Sequence, residues 1–282
     1  MSTPVVSICI VNWNSGAMTR GLVANLRRQR LPGYEPGEGL EFIVVDNASG
    51  DGDADDLAAL EATSGVTLVR SAQNSGYATG MNQAVARASG RFVLMTNPDV
   101  MVFRGALAAL LEHLESDDTV GAVGPRGYLD PHRFFQLPPT ELPSLCDLAS
   151  EAMARSVRTC GERHARNRTR RAIEQWTAID GTAVSQLSGF CVLMRRELAK
   201  ELGPFDAEYP FYFEDADLCL RLQRRGFSTE FVPRAEMTHF FNRSAGQAQE
   251  AVMSRYQVSR KRFFRRRYGL PGELVAGALL AA

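Results

Sequence analysis

The sequence predicts an α/β fold with a mainly parallel central sheet flanked by helices, and three observations carry that prediction. Apolar runs of strand length at 5–11, 42–45, 66–69 and 91–95 alternate with segments of helical periodicity. The first run is continuously apolar and β-branched rather than alternating, as in strands covered on both faces. Polar residues Asn12, Asp46 and Asp99 follow three of the runs, and strand ends of this kind are where open α/β sheets bind ligands.

Taken in order, strand 5–11 runs into the loop Asn12-Trp13-Asn14-Ser15-Gly16, which leads into a helix over about 18–29. Strand 42–45 ends in Asp46-Asn47-Ala48-Ser49, a Gly/Asp-rich turn and a helix over about 55–63. Strand 66–69, a helix over 80–88 and strand 91–95 complete the alternating half, which closes on Thr96-Asn97-Pro98-Asp99. After Gly127 the alternation breaks down. A Pro-rich stretch over 131–143 and an Arg-rich helical segment reaching about Trp176 read as an insertion, either an acceptor-side subdomain or a connector. Strand character returns at 188–194, at 229–232 and over 231–237 ahead of His239, and the acid run Phe213-Glu214-Asp215-Ala216-Asp217 enters an apolar-periodic helix. Near the C-terminus, Arg260 to Tyr268 is rich in arginine and aromatics and precedes a Leu/Val/Ala-rich tail. That pattern suits an interfacial membrane contact, or equally a solvated helix with a packed tail.

Composition bounds the function. The chain of 282 residues is 45% hydrophobic, ample for a core, and carries 32 basic against 32 acidic side chains. Nothing in that balance argues for a nucleic-acid partner. Cys9, Cys146, Cys160, Cys191 and Cys219 form no C-x-x-C pair and are expected to be reduced. The N-terminus lacks a secretory pattern and no apolar run reaches the roughly 20 residues of a membrane span. A cytoplasmic protein is expected, peripheral at the inner face of the plasma membrane if the basic segment binds lipid. Glycosylation matches at Asn47, Asn167 and Asn242 then carry no weight.

Two acid stations stand out. Asp99 suits a hard oxygen ligand for Mg²⁺ or Mn²⁺, which take one or two carboxylates plus substrate phosphates. Asn97-Pro98-Asp99 holds one carboxylate where many diphosphate-sugar sites hold two, which leaves room for His239 as a further ligand. Asp46 can accept the N3–H of a uracil or thymine ring, or merely close an Asx turn before Gly50. The stretch Asn74-Ser75-Gly76-Tyr77-Ala78-Thr79-Gly80-Met81-Asn82 is a glycine-loosened helix entry suited to a ribose or phosphate. It is neither a Walker motif nor a G-x-G-x-x-G fingerprint.

The motifs Val6 to Asn14, Val44 to Ser49, Asn74 to Asn82, Asn97-Pro98-Asp99, Ser188-Gly189-Phe190, Phe213 to Cys219 and His239 to Ser244 together resemble the inverting GT-A glycosyltransferases of family 2, in particular the bacterial rhamnosyltransferase-like branch. The resemblance implies a base-binding Asp at Asp46, a metal-binding Asp at Asp99 and a general base at Asp215, with Glu214 as its neighbour. It places the histidine of an H-x-x-G-x-S signature at His239 and its serine at Ser244; the glycine is replaced by Asn242, which also reaches left-handed backbone. Asn12, Asn14, Asn74, Gly76, Asn82, Asn97 and Gly189 join Asp46 as candidate nucleotide and donor contacts, Gly189 by letting a sugar approach the backbone.

The expectation is one GT-A domain over 1–282. It comprises a nucleotide-sugar-binding half (1–126), a variable insertion (127–185), an acceptor and catalytic half (186–254) and a basic amphipathic segment (255–282). The resemblance implies transfer of rhamnose from dTDP-rhamnose, or of a sugar from a UDP-linked donor. The acceptor would be a saccharide or a polyprenyl-diphosphate-linked precursor in surface polysaccharide or glycolipid synthesis. A nucleotidyltransferase is disfavoured because the chain's two lysines, Lys200 and Lys261, lie in no triphosphate loop. A silent binding subunit would have lost Asp99, Glu214 or Asp215, and all three are present.

Overall fold

A computed structural model describes residues 3–137, 140–153, 158–241 and 249–278. The first half winds as expected: β1 (Val6–Asn12), α1 (Gly16–Leu26), β2 (Leu40–Asp46), α2 (Ala54–Glu61), β3 (Val66–Arg70), α3 (Tyr77–Arg87) and β4 (Phe92–Thr96). Then come β5 (Val100–Val102), α4 (Ala106–Ser116), β6 (Val120–Tyr128), α5 (Leu145–Met153), α6 (Arg158–Thr177) and β7 (Thr182–Ala183). The chain continues through β8 (Cys191–Arg195), α7 (Arg196–Leu202), α8 (Glu214–Arg224), β9 (Ser228–His239) and α9 (Gln249–Ala278).

All these strands share one sheet in the order β3-β2-β1-β4-β8-β6-β9-β5, with β7 added on β9. Strands β3, β2, β1 and β4 are parallel, β8 runs antiparallel between β4 and β6, and β6 pairs with β9 in parallel. Side chains alternate between the two faces. Along β1, Val6, Ile8 and Ile10 pack with α1, α2 and α4, while Cys9 and Val11 face a second core containing residues of α3, α7, α8 and α9. Every residue of β1 is buried, which explains its uninterrupted apolar run. The buried thiols of Cys9, Cys191 and Cys219 are held protonated by desolvation, so they behave as small apolar groups.

Two sequence expectations need adjustment. The strand read at 188–194 begins only at Cys191, because Gly189 and Phe190 form the turn that meets the acid station of α8. The strand character read at 229–232 and at 231–237 belongs to one twelve-residue strand that passes through Pro233. Its pairing with β6 jumps from Val232 to Glu236, a bulge that accommodates the missing proline N–H.

The C-terminal segment, read as either an interfacial contact or a solvated helix with a packed tail, turns two of its aromatic rings inward. Phe263 and Phe264 are 0% and 1% exposed in the core that α9 shares with α8, so these two rings are unavailable for insertion into a bilayer. Among the described residues no helix is long and apolar enough to cross a membrane.

Candidate active site

The parallel register places Asn12 opposite Asp46 at the carboxyl ends of β1 and β2. Asn12 is fully buried and saturated: its amide donates to Asp46, Ser49 and Asp53, and its carbonyl accepts from Ser15 and Thr19. It therefore positions Asp46 rather than meeting a ligand. Asp46 Oδ1 accepts from Asn12 at 3.0 Å and from the Ser49 hydroxyl at 2.6 Å, while Oδ2 takes only a 3.3 Å bond from the Ser49 N–H. That leaves Oδ2 lone-pair capacity for an outside donor. Asn14 accepts the Gly50 N–H and fixes the same loop from outside.

The loop that opens α3 is pinned to the neighbour of Asp46. Asn47 donates to the Asn74 side chain at 2.8 Å and to the Gly76 carbonyl at 3.2 Å, and it accepts the Ser75 N–H. Gly76 has φ +85° with nothing near a would-be Cβ, so its backbone conformation rather than space demands glycine. Asn82 is a correction: both ends of its amide are spent on the backbone of Phe205, at 2.6 and 3.0 Å, so it ties α3 to the segment after α7 and does not reach the strand ends.

At the end of β4 the chain turns through Asn97-Pro98-Asp99 into β5, whose Val100 pairs with His239 of β9. His239 Nε2 thereby lies 3.3 Å from Asp99 Oδ1 and 3.3 Å from the Asn97 amide. Phe190 stacks on the imidazole with centroids 5.0 Å apart, and Phe241 approaches it to 4.1 Å. The imidazole is buried, and its Nδ1 has no hydrogen-bond partner among the described residues. Asn242, Arg243 and Ser244, the rest of the signature, lie outside the described residues.

The second acid station follows two residues held in the left-handed region, Tyr212 at φ +61° and Phe213 at φ +72°. For aromatic side chains this is strained backbone of the kind found at functional sites. It starts α8 so that Asp215 Oδ2 accepts the Gly189 N–H at 2.9 Å and Oδ1 accepts the Ala216 N–H at 2.8 Å. A Cβ at Gly189 would lie 3.1 Å from Asp215 Cβ, so the close approach that glycine permits is made by Asp215, not by a sugar. Burial raises the pKa of both acids; Glu214 is pushed up to about 8 by desolvation and then by the adjacent Asp215. Two carboxyls with raised proton affinity in a cleft are suited to proton transfer.

Asp217, the third acid of the run, has a different job. It is 0% exposed and receives Arg221 at 2.6 Å, Arg266 at 3.0 Å and the Tyr209 hydroxyl at 3.2 Å, an arrangement that leaves it structural.

Three residues not singled out in the sequence complete the site. Tyr77 donates its hydroxyl toward the Gly189 carbonyl at 3.4 Å. Desolvation raises its pKa first, and the charges of Glu214, Asp215 and Asp99 raise it further, so the phenol lies between the two stations. Phe190 links the stations through its neighbour Gly189. Gln186 lies near enough to Asp215 to lower its proton affinity and lines a small open pocket of about 50 Å³ with Gln136, Thr140, Gln175 and Ser188. None stood out because a lone Tyr, Phe or Gln carries no spacing signal; only the sheet register brings them together.

Comparison with known proteins bears on the fold and the family. The chain is 29% identical over 256 residues, 86% of its length and 78% of the relative's, to an N-acetylglucosaminyl-diphospho-decaprenol L-rhamnosyltransferase of Mycobacterium tuberculosis. It is 27% identical over 247 residues to the uncharacterized protein y4gI of Sinorhizobium fredii, matching 86% of this chain and 25% of that protein. Among solved structures, the mannosyltransferase PcManGT of Pyrobaculum calidifontis, in complex with GDP-Man and Mn²⁺, aligns with TM-score 0.62 and 19% identity over 100% of this chain and 75% of its own. TarS 1-349 of S. aureus in complex with UDP aligns with TM-score 0.58 and 14% identity over 94% of this chain and 72% of its own. The architecture is thus the GT-A glycosyltransferase fold. The profile of Glycosyl transferase family 2 matches residues 7–203, more than half of the sequence, and the chain belongs to that family.

Proposed function

We propose that this glycosyltransferase moves rhamnose, with inversion, from a pyrimidine nucleotide diphosphate to a hydroxyl of a saccharide carried on polyprenyl diphosphate. The observation that carries the reading is the continuous path Asp99–His239–Phe190–Gly189–Asp215 along one sheet edge, with Asp46 on the same edge. The rhamnosyl donor and lipid-linked acceptor are supported by the Mycobacterium relative. dTDP is the leading carrier and UDP the second, since both rings present the N3–H that the spare capacity of Asp46 Oδ2 fits.

The residues divide the work. Asp46 and the Asn47-pinned loop at Asn74 and Gly76 hold the nucleoside. Asp99 and His239 would hold Mg²⁺ or Mn²⁺: they are a carboxylate and an imidazole facing each other at the end of a sheet, with the second ring nitrogen lacking a partner among the described residues. Such an ion, when bound, supplies Lewis-acid stabilisation of charge on the leaving diphosphate. Asp215 is held in one orientation by two backbone N–H groups, burial raises its proton affinity, and it takes the proton of the attacking hydroxyl, with Glu214 beside it. The pocket beside Gln186 offers neutral amide and hydroxyl groups to an acceptor saccharide next to that base.

Nucleotide binding tests the reading first. UDP or dTDP with Mn²⁺ at a hundredfold excess over Kd is expected to stabilise the fold by about 2.7 kcal/mol, and ADP or GDP much less. Equal protection by purine and pyrimidine nucleotides in a thermal melt removes the role given to Asp46.

A further inference from the structure

The arginine-rich C-terminal helix meets the strained turn ahead of Glu214 at several independent points. Ser259, fully buried, accepts the Phe211 N–H at 3.3 Å. The left-handed Phe213 ring packs against Tyr256 at 5.3 Å and Phe263 at 5.5 Å between centroids. Arg266 spans two carboxylates, Asp206 at 2.7 Å and the buried Asp217 at 3.0 Å, and Arg262 joins it on Asp206 at 2.9 Å. At the far end of α8, Arg224 returns to the Arg266 carbonyl at 2.8 Å. Both ends of the acid-bearing helix are therefore fastened to α9, and the whole arrangement lies beyond the residues 7–203 that match the family profile.

Two successive aromatic residues in the left-handed region persist only where their surroundings over-determine them, since that backbone is strained for a side chain with a Cβ. Nothing in the local sequence 208–213 favours that conformation; it contains no glycine. The packing of Phe213 under α9 and the tether at Phe211 supply what the local sequence lacks. Isolated surface ion pairs contribute little, but Asp217 is fully buried, so its arginine partners matter for where α8 begins.

We propose that α9 is an intramolecular brace for the catalytic turn, with Phe263 and Arg266 as positioning residues that aim Glu214 and Asp215 at the Gly189 edge. The inference rests on the glycosyl-transfer reading above. It assigns the arginine-rich segment an inward role: the groups that gave it a membrane-binding pattern, Phe263, Arg262 and Arg266, are engaged with the protein's own residues.

The test compares Phe263→Leu and Arg266→Met with Arg265→Met, an exposed neighbour whose partner is Glu273. Arg266→Met leaves Asp217 with Arg221 and Tyr209, so its charge stays paired. The expected result is a fall in kcat of about tenfold or more in the first two variants, with the UDP Kd in Mn²⁺ within about twofold of wild type, and no change in the third. Arg266→Lys should recover part of kcat, because an ammonium can serve one of the two carboxylates but not both. Hydrogen exchange at the Gly189 and Asp217 amides, which bond Asp215 and the Phe213 carbonyl, should quicken while that in β1 and β2 does not. A kcat within twofold of wild type despite a lowered Tm, a UDP Kd weakened in proportion, or unchanged exchange at Gly189 overturns the brace. If the wild-type protein transfers no sugar, the functional reading fails, and the exchange contrast still decides the brace.

Discussion

Asp215→Asn is expected to lower turnover by about 10²–10⁴-fold, the usual cost of losing a general base, while UDP affinity stays near wild type. The structure adds a second consequence. Both Asp215 oxygens accept backbone N–H groups, so an amide must turn its NH₂ toward either Gly189 or Ala216. One backbone donor is then left without its acceptor, at about 1–3 kcal/mol if it stays buried, and Tm should fall with activity. Glu214→Gln makes no such conflict, and its effect is read in pH. Because burial lifts Glu214 from 4.5 to about 8, the folded state holds this proton more tightly than the unfolded state. The group's contribution to stability is therefore favourable below about 4.5, relative to neutral pH, and is lost as pH rises toward 8. Glu214→Gln should flatten that slope, read as unfolding free energy against pH. A nearly inert Glu214→Gln beside an Asp215→Asn enzyme within a few-fold of wild type would reassign the base to Glu214. Asp217 is no alternative, being buried against two arginines.

Asp99→Ala and His239→Ala should behave in the opposite way, weakening donor binding as well as turnover. Each removes one of the two facing donors at the β5–β9 edge. UDP affinity in Mn²⁺ should drop by about tenfold or more, equivalent to about 1.4 kcal/mol, and EDTA should reduce wild type to the same affinity while leaving both variants unchanged. The loss should be greater for Asp99, since a hard divalent ion prefers carboxylate oxygen to imidazole. Calorimetry with and without the ion reads this directly. Variants that bind UDP like wild type in Mn²⁺ would remove metal holding from this pair and leave His239 as a packing residue between Phe190 and Phe241.

What the sequence made legible follows from which signals are local. The parallel half was readable because β1, β2 and β4 are continuous apolar runs closed by polar residues, a one-dimensional pattern that burial on both faces imposes. The acid stations at Asp46, Asp99 and Glu214-Asp215 were readable for the same reason, each lying at an element's end. The β5, α4 and β6 stretch after Asp99 was not read, because β5 spans only three residues, too short for a strand pattern to stand out before α4 begins. Strand β9 was readable in two overlapping pieces, 229–232 and 231–237, and the bulge against β6 is what lets one strand pass through Pro233. The donor contacts assigned to Asn12 and Asn82 failed for a physical reason: an asparagine next to a strand end or in a helix can equally spend its amide on neighbouring backbone and side chains. The charge and aromatic pattern of α9 resembled a membrane-facing helix because a surface arginine and one paired to a buried acid look alike in sequence.

Transfer itself tests the central claim most directly. With a panel of nucleotide sugars, a polyprenyl-diphosphate-linked saccharide acceptor and Mn²⁺, the product's anomeric configuration is read by NMR. A single displacement assisted by Asp215 predicts a product inverted relative to the donor, formed from dTDP- or UDP-linked sugar and abolished in Asp215→Asn. Retention of configuration, or equal turnover of purine-linked donors, would contradict it.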